Sequence, residues 1–380
     1  MARDSTNCYL ITSEAGEVLI NAGLPAGAPR SRALFDQISR NPVRYVILTQ
    51  SHLDHYGGLE AFMLPETQLI AQREYPEGRA YAKRLAPFYG RRSMKLWGPI
   101  FGGASMPPKP PREYEPNILV DDSYAFELGG RQFEILATPG GETRDSIVVW
   151  LPQERIVFTS NMFGPLYMHV PNLNTVRGDK PRSALEFIRS VRRVRDLRPE
   201  TIVTGHGDPI QGAAKIQADL DKLIAAVQWI HDQTIAGMNA GKDVHTLMHE
   251  IRLPNELALG EGHGNVRWAV KAIWEEYVGW FYFDSTTSLY DVPPSSIYAD
   301  LTELAGGAKQ LAARARDHLT AGRPLQALHL TDIALSAEPK NSEAQSVKRD
   351  ALQTLLDAGQ GSNLSETMWL RAELAALQGN

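Results

Sequence analysis

Thr49-Gln50-Ser51-His52-Leu53-Asp54-His55-Tyr56-Gly57-Gly58 is the stretch on which the reading of this chain turns. It follows the apolar, β-branched run Val43–Leu48, which reads as a buried strand. Its polar residues therefore emerge at a strand end, where layered α/β folds build their sites. Imidazole and carboxylate are ligands for first-row divalent metals. Two histidines and an aspartate so close together, closed by Gly57-Gly58, are more than the packing of a turn requires. Two further turns carry ligand-type residues. Thr138-Pro139-Gly140-Gly141-Glu142 follows the strand pattern Phe133–Ala137, and Gly205-His206-Gly207-Asp208 follows Ile202–Thr204. Glu142 alone would read as a solvated loop residue and His206 alone as an incidental histidine. Taken together, the three strand-end turns point to a metal site.

The rest of the first half reads as strands punctuated by turns. Cys8–Ile11 and Val18–Asn21 flank Glu14-Ala15-Gly16-Glu17; Tyr124–Leu128 and Gln132–Ala137 flank Gly129-Gly130; Ser146–Leu151 and Ile156–Thr159 flank Pro152-Gln153. Ser31–Arg40 and Arg182–Leu197 have helical spacing, whereas Arg79–Met94 is basic and fits neither pattern clearly. Trp97 to Pro116 is dense in Gly and Pro and reads as a long loop. Its part from Trp97 to Pro111, with Trp97, Phe101 and Met106, is expected to border the site and cover an apolar part of the substrate. Beyond Gly212 only helical patterns follow, at Ala214–Ala236, Val244–Ile251, Val266–Val278, Leu301–Ala321, Pro324–Ala337, Ser342–Leu356 and Leu364–Leu377. The chain is thus expected to divide into an α/β domain over residues 1–212 and an all-α domain over residues 213–380. Trp268, Trp274, Tyr277, Trp280 and Phe281 lie close together in the second part, as the anchors of a core or of an interface.

Composition limits the function classes. A formal net charge of −5 gives no general attraction to nucleic acid. No stretch is long and apolar enough to span a bilayer. Cys8, the single cysteine, cannot form an intramolecular disulfide and lies in an apolar run, which favours a buried strand residue in a reducing compartment. The first seven residues lack the apolar core of a signal peptide. A cytoplasmic location is the expectation, with a removed upstream leader as the alternative.

Thr-x-x-His-x-Asp-His-x-Gly-Gly resembles the signature of the metallo-β-lactamase superfamily, and Asn7–Ile11 and Leu19–Gly23 are similar to its opening strands. The resemblance implies an αββα sandwich with the site along the open edge between two sheets. A narrower match is to the alkylsulfatases. Thr138-Pro139-Gly140-Gly141-Glu142 is similar to their version of the second motif, in which Glu replaces the usual His. Asn172-Leu173-Asn174-Thr175-Val176-Arg177-Gly178 resembles the segment whose Arg holds the sulfate group. In the helical half, Gly264–Phe281 and Asn363–Arg371 resemble the alkylsulfatase dimerisation domain, which implies a homodimer.

Two departures stand out. Gln50 occupies the position of the first metal-binding His, and Asn161 that of a metal-bridging Glu. The resemblance implies one divalent ion, most naturally zinc, at Asp54, His55 and His206, three ligands with an open position. His52, Glu142 and the neutral amide of Gln50 would leave a second position weak or empty. Asp54, Glu142 and Asn161 would surround the reacting water, while Arg177, with Asn174, would bind the anionic group of a small-molecule substrate. The implied function is hydrolysis of a sulfate ester or a similar anionic ester by a metal-activated water. The rivals are lactone, thioester or phosphodiester hydrolysis on the same scaffold, or a degenerate, non-catalytic member that binds a metal or ligand.

Overall fold

The computed structural model describes residues 1–98 and 110–378. Most of the loop expected to border the site therefore lies outside the described residues. The chain forms two compact units, Met1–Met94 with Gly103–Tyr277, and Lys95–Gly102 with Val278–Asn380.

The first unit is built on two sheets. One has the order β1 (Tyr9–Ser13), β2 (Gly16–Ile20), β3 (Val43–Ile47), β4 (Gln68–Gln72), β5 (Ile118–Val120), with β2 through β5 parallel to one another. The other contains β6 (Ser123–Leu128), β7 (Arg131–Ala137), β8 (Ile147–Leu151), β9 (Ile156–Ser160), β10 (Thr201–Thr204) and β11 (Ile210–Gln211) in reverse order, with β9 and β10 parallel. Side chains alternate between the faces of a strand, and in central strands such as β2 and β8 every residue is buried. Val18, Ile20, Ile47 and Ile70 of the first sheet meet Phe133, Ile135, Ile147, Val149 and Phe158 of the second in the central core. Leu19, Val46 and Leu69 turn outward against Ala28, Phe35 and Tyr56, from α1 (Ala28–Asp36) and the single turn α2 (Leu53–Tyr56). On the far side Leu136, Val148, Trp150, Val157 and Ile202 turn outward into a cluster with helical residues. These come from α5 (Ala184–Asp196), α6 (Ala213–Asn239) and α8 (Val266–Val278). Helix, sheet, sheet, helix is the layer order, the αββα sandwich that the sequence resemblance implies. Sheets covered on both faces have near-continuous apolar strands, as Ile147-Val148-Val149-Trp150-Leu151 illustrates.

The basic stretch that fitted no pattern forms α3 (Tyr75–Arg84) and most of α4 (Ala86–Trp97). Strands stop at Gln211, but the compact unit does not: α6, α7 (Val244–Glu250) and α8 as far as Tyr277 belong to it. Ile216, Leu220, Leu223, Val227 and Ile230 of α6 share the cluster of the second sheet's outer face. The second unit holds α9 (Tyr298–Leu304), α10 (Ala308–Thr320), α11 (Pro324–Ala337), α12 (Ser342–Gly359) and α13 (Leu364–Ala376). The helix expected over Leu301–Ala321 is broken in two at Gly306 and Gly307, whose φ values of 85° and 109° are outside the reach of a regular helix. The aromatic group near residue 274 divides: Trp268 and Trp274 are half-buried, whereas Trp280 is 75% exposed.

Gly57 and Gly58 close the motif because there is no room for a side chain. A Cβ on Gly58 would stand 2.2 Å from the Ala22 carbonyl oxygen and 2.5 Å from Ala28 Cβ, and one on Gly57 2.7 Å from the Leu53 carbonyl oxygen. The glycines let α2 press against the end of β2 and the start of α1. Gly58→Ala should lower stability by about 1–3 kcal/mol, the usual cost of overpacking against backbone, read as a lower urea midpoint with unchanged slope.

Candidate metal centre

The site residues stand at strand ends. Asn21 follows β2, the His52–His55 motif follows β3, Asn161 follows β9 and His206 follows β10. Asn21 joins three of these ends. It adopts φ 58°, a left-handed conformation that asparagine tolerates better than most residues. Its Oδ1 accepts from Thr49 N (3.1 Å) and Thr49 Oγ1 (2.9 Å), and its Nδ2 donates to Ser160 Oγ (3.2 Å). Thr49 Oγ1 in turn lies 3.0 Å from His55 Nδ1. With the single threonine hydroxyl proton directed to Asn21 Oδ1 or to Ser160 Oγ (2.8 Å), the assigned tautomer has His55 Nδ1 donating toward Thr49 and Nε2 keeping its lone pair. Burial, with His55 fully enclosed, pushes its pKa down to about 4 against the pull of Asp54 and Glu142. His55 is therefore a neutral imidazole at ordinary pH, the form that binds a metal.

Asp54 Oδ2 accepts from Thr6 Oγ1 and lies 3.8 Å from His55 Nε2. Burial alone would raise the carboxyl's pKa, but His55, His52 and the Thr6 hydroxyl bring it below the ordinary value. His206 sits in a half-buried turn held by Tyr9 OH on the Thr204 carbonyl (2.6 Å) and by Asn7 on the Gly205 and Gly207 carbonyls. It is among the charges that act on His55. Asn161 Nδ2 is 3.2 Å from His55 Nε2, and its buried Oδ1 has no hydrogen-bond partner. The chain enters Asn161 through Ser160 at φ 48°, ψ −132°, a conformation costly for a non-glycine residue. A Cβ at Gly205 would stand 2.0 Å from Asn161 Oδ1, so the glycine is required there too.

Gln50 behaves differently from the amide-oxygen ligand that the sequence suggested. Its Nε2 lies 2.7 Å from Glu142 Oε2, 2.9 Å from His55 Nε2 and 3.1 Å from His52 Nδ1. An ionised carboxylate only accepts, so the end of the amide facing Glu142 is the NH2 group. Burial would raise the Glu142 carboxyl, but His52, Arg182 and Gln50 hold it below the ordinary range. The amide hydrogens thus occupy the space among three acceptors. His52 completes the arrangement by directing Nε2 to Asp179 Oδ2 at 3.2 Å. Among the described residues, no three His, Cys, Asp or Glu side chains are gathered into a finished metal cage.

These arrangements bear on the divalent ion that the fold implies. The donor chemistry fits in part on one side: Asp54 ionised, His55 neutral with an Nε2 lone pair that an ion would have to take over from the Gln50 and Asn161 amides, and His206 in the adjoining turn. It does not fit on the other, where the Gln50 NH2 group already satisfies His52 and Glu142. Arg177 Nη2 donates to Asp179 Oδ2 (3.2 Å) and lies beside His52 Nε2 (3.4 Å). Both Arg177 and Asp179 line a cavity of about 80 Å³, together with His52, Glu142 and Arg182. Asn174, expected beside the substrate, instead donates to Glu275 Oε2 (3.2 Å) and does not line this cavity. Thr6, Ser160, Asp179 and Arg182 were missed by the sequence reading. Asp179 and Arg182 follow closely on Arg177, in a segment whose charged spacing was the available signal.

Residues 1–206 match the metallo-beta-lactamase superfamily, and the chain belongs to that superfamily. Residues 244–376 match the alkyl sulfatase dimerisation family. The chain is 26% identical over 400 residues to a linear primary-alkylsulfatase of Pseudomonas sp., across 97% of this chain and 74% of that protein. It is 26% identical over 361 residues to the alkyl/aryl-sulfatase BDS1 of Saccharomyces cerevisiae, across 88% of this chain but only 54% of the yeast protein. The solved structure of the stereoselective inverting sec-alkylsulfatase Pisa1 from Pseudomonas sp. superposes with a TM-score of 0.87 at 23% identity, covering 99% of this chain and 63% of that one. The chain has the fold of that structure and spans part of the length of each of these proteins.

The asparagine joint is testable by itself. Asn21→Ala removes two buried acceptor contacts and adds left-handed strain, so unfolding free energy should fall by about 2–4 kcal/mol. Asn21→Gly should recover the backbone part only, leaving a loss of about 1–2 kcal/mol. Equal losses in urea titrations of the two variants would remove the backbone contribution.

Proposed function

We propose that the chain is a metal-dependent hydrolase of sulfate esters. The observation that carries this reading is the grouping of Asp54 and Asn161 about His55 Nε2 (3.8 and 3.2 Å), joined through Gln50 to His52 and Glu142 on the wall of a cavity that Arg177 and Arg182 also line. Alkylsulfatases among its relatives favour an alkyl sulfate over other anionic esters. A divalent ion held by Asp54, His55 and His206 would supply Lewis-acid polarisation and a water acidic enough to attack near neutral pH. Thr6 would keep Asp54 oriented, Thr49 would fix the His55 tautomer, and the arginines would receive the anionic group.

One ion per chain is the stoichiometry this arrangement supports, because the Gln50 amide satisfies both His52 and Glu142 where a second ion would sit, and the first ion has to displace it from His55 alone. Zinc suits the imidazole and carboxylate donors. A degenerate member without catalysis is the second reading, and Gln50 is the observation that favours it. The decisive experiment is sulfate release from sodium dodecyl sulfate by the purified chain after zinc or manganese loading. Activity should fall more than about a hundredfold in Asp54→Asn, which weakens the ion's hold. No release with either metal would leave the non-catalytic reading standing.

Metal content checks the stoichiometry. Elemental analysis after dialysis should give one divalent ion per wild-type chain. Gln50→His with Asn161→Glu should raise it toward two, since imidazole and carboxylate replace neutral amides. Two tightly held ions in the wild type would show that the Gln50 amide yields its place.

The dimerisation-family match supports a homodimer with two-fold symmetry. In the second unit, Trp280, Phe283, Tyr290 and Leu304 are 75%, 88%, 69% and 85% exposed, an apolar series that a partner subunit would cover. Light scattering at micromolar concentration should give twice the chain mass; a monomer mass rules the dimer out. No helix among the described residues is long and apolar enough to cross a membrane. The Cys8 thiol is buried, which pushes its pKa up to about 12.

A further inference from the structure

Arg182 is the guanidinium whose bonding in the folded chain is incomplete. It lies just ahead of α5, where its backbone N–H donates to the Leu173 carbonyl (3.1 Å). Its Nη1 donates to the Asn172 carbonyl (2.8 Å), and its side chain is only 9% exposed. Nη2 is buried with no hydrogen-bond partner; it forms an ion pair with Glu142 Oε1 at 3.8 Å, too long for a hydrogen bond. Arg182 also lines both cavities beside Glu142, the one of about 80 Å³ and a smaller one of about 20 Å³ that includes Asn161 and Asn172. A buried donor of this kind costs free energy until an acceptor reaches it. Arginine keeps its charge even when burial lowers its pKa, so the acceptor it calls for is an anion.

Arg177 is already answered. Its Nη2 donates to Asp179 Oδ2, and the carboxyl of Asp179 is held far below the usual range, against its burial, by His52, Arg177 and Arg182. Glu142, the carboxylate near Arg182, shares its charge with Gln50 and His52.

We propose that Arg182, rather than Arg177, is the principal anchor for the anionic group of the substrate, with its Nη2 edge taking one oxygen of a tetrahedral oxyanion such as a sulfate ester. This rests on the reading of the site as a hydrolase of anionic esters, and it assigns the specificity for charge to a residue before α5. Arg177 then acts as a secondary wall, restrained by Asp179.

The test titrates inorganic sulfate into the full-length chain at constant ionic strength, followed by calorimetry and by the rise in melting temperature. Arg182→Lys keeps the charge beside Glu142 but loses the planar fork, and it should weaken sulfate binding about tenfold or more. Arg177→Met should weaken it by less than about threefold, since its charge is largely spent on Asp179. The Arg177 variant needs no folded Arg182 variant, so the comparison survives if Arg182→Lys does not fold. Sulfate binding abolished in Arg177→Met overturns the proposal, as does no binding by the wild type or unchanged binding in Arg182→Lys. Sulfate binding that depends on Arg182 in a chain that hydrolyses no sulfate ester would uphold this assignment while removing the hydrolase reading.

Discussion

Asn21 holds together the ends of β2, β3 and β9 through Thr49 and Ser160, and the positions of the site side chains depend on that joint. The central strands of the two sheets are buried on both faces, and this polar joint between the sheets lies at the strand ends. A buried polar network of this sort is worth keeping only if its members are satisfied. Here one carboxamide serves two donors of Thr49 and gives one to Ser160, and the Thr49 oxygen passes the order on to the His55 ring. The left-handed backbone at Asn21 and the strained one at Ser160 lie on opposite sides of the joint. Both are what it takes to bring a first-sheet histidine against Asn161 of the second sheet.

The same economy explains Gln50. Three acceptors crowded into a buried space demand positive charge. A cation supplies it in bulk, and an amide NH2 supplies a smaller portion through two polarised hydrogens. The amide removes the need for an ion there, without removing the need beside Asp54, whose half-buried carboxylate stays ionised. The site is thus asymmetric by composition. One half is closed by the Gln50 amide, and the other keeps an ionised carboxylate, Asp54, with the Thr6 hydroxyl as its hydrogen-bond donor.

Much of this architecture could be read from the sequence because each strand announces itself locally. Ile147–Leu151 and Arg131–Ala137 are apolar or alternating runs bounded by turns, and the three strand-end turns carry their ligands within a few residues of each other. What could not be read depends on partners distant along the chain. Thr6 meets Asp54, and Gln50 meets Glu142. Gln50 was legible as a weaker donor, but which end of its amide points inward is decided by Glu142 on another sheet. Asn174 shared a segment with Arg177, yet it turns to Glu275 of α8, a helix far downstream. Three-residue β5 carries too little pattern to register alone, and it exists by pairing with β4. Arg182 gave only a charge at the start of a helical pattern; its burial comes from the loop at Asn172 folding over it.

Strands and compactness end at different places, and this bears on where such a chain can be cut. The sandwich spends the outer face of its second sheet on α6 and α8, whose segments continue the helical half of the sequence. A recombination event at Gly212 would separate two stretches that look like different modules and would strip Trp150, Val157 and Ile202 of their cover. A cut that keeps the compact unit whole falls near Tyr277, inside the stretch 244–376 that matches the dimerisation family.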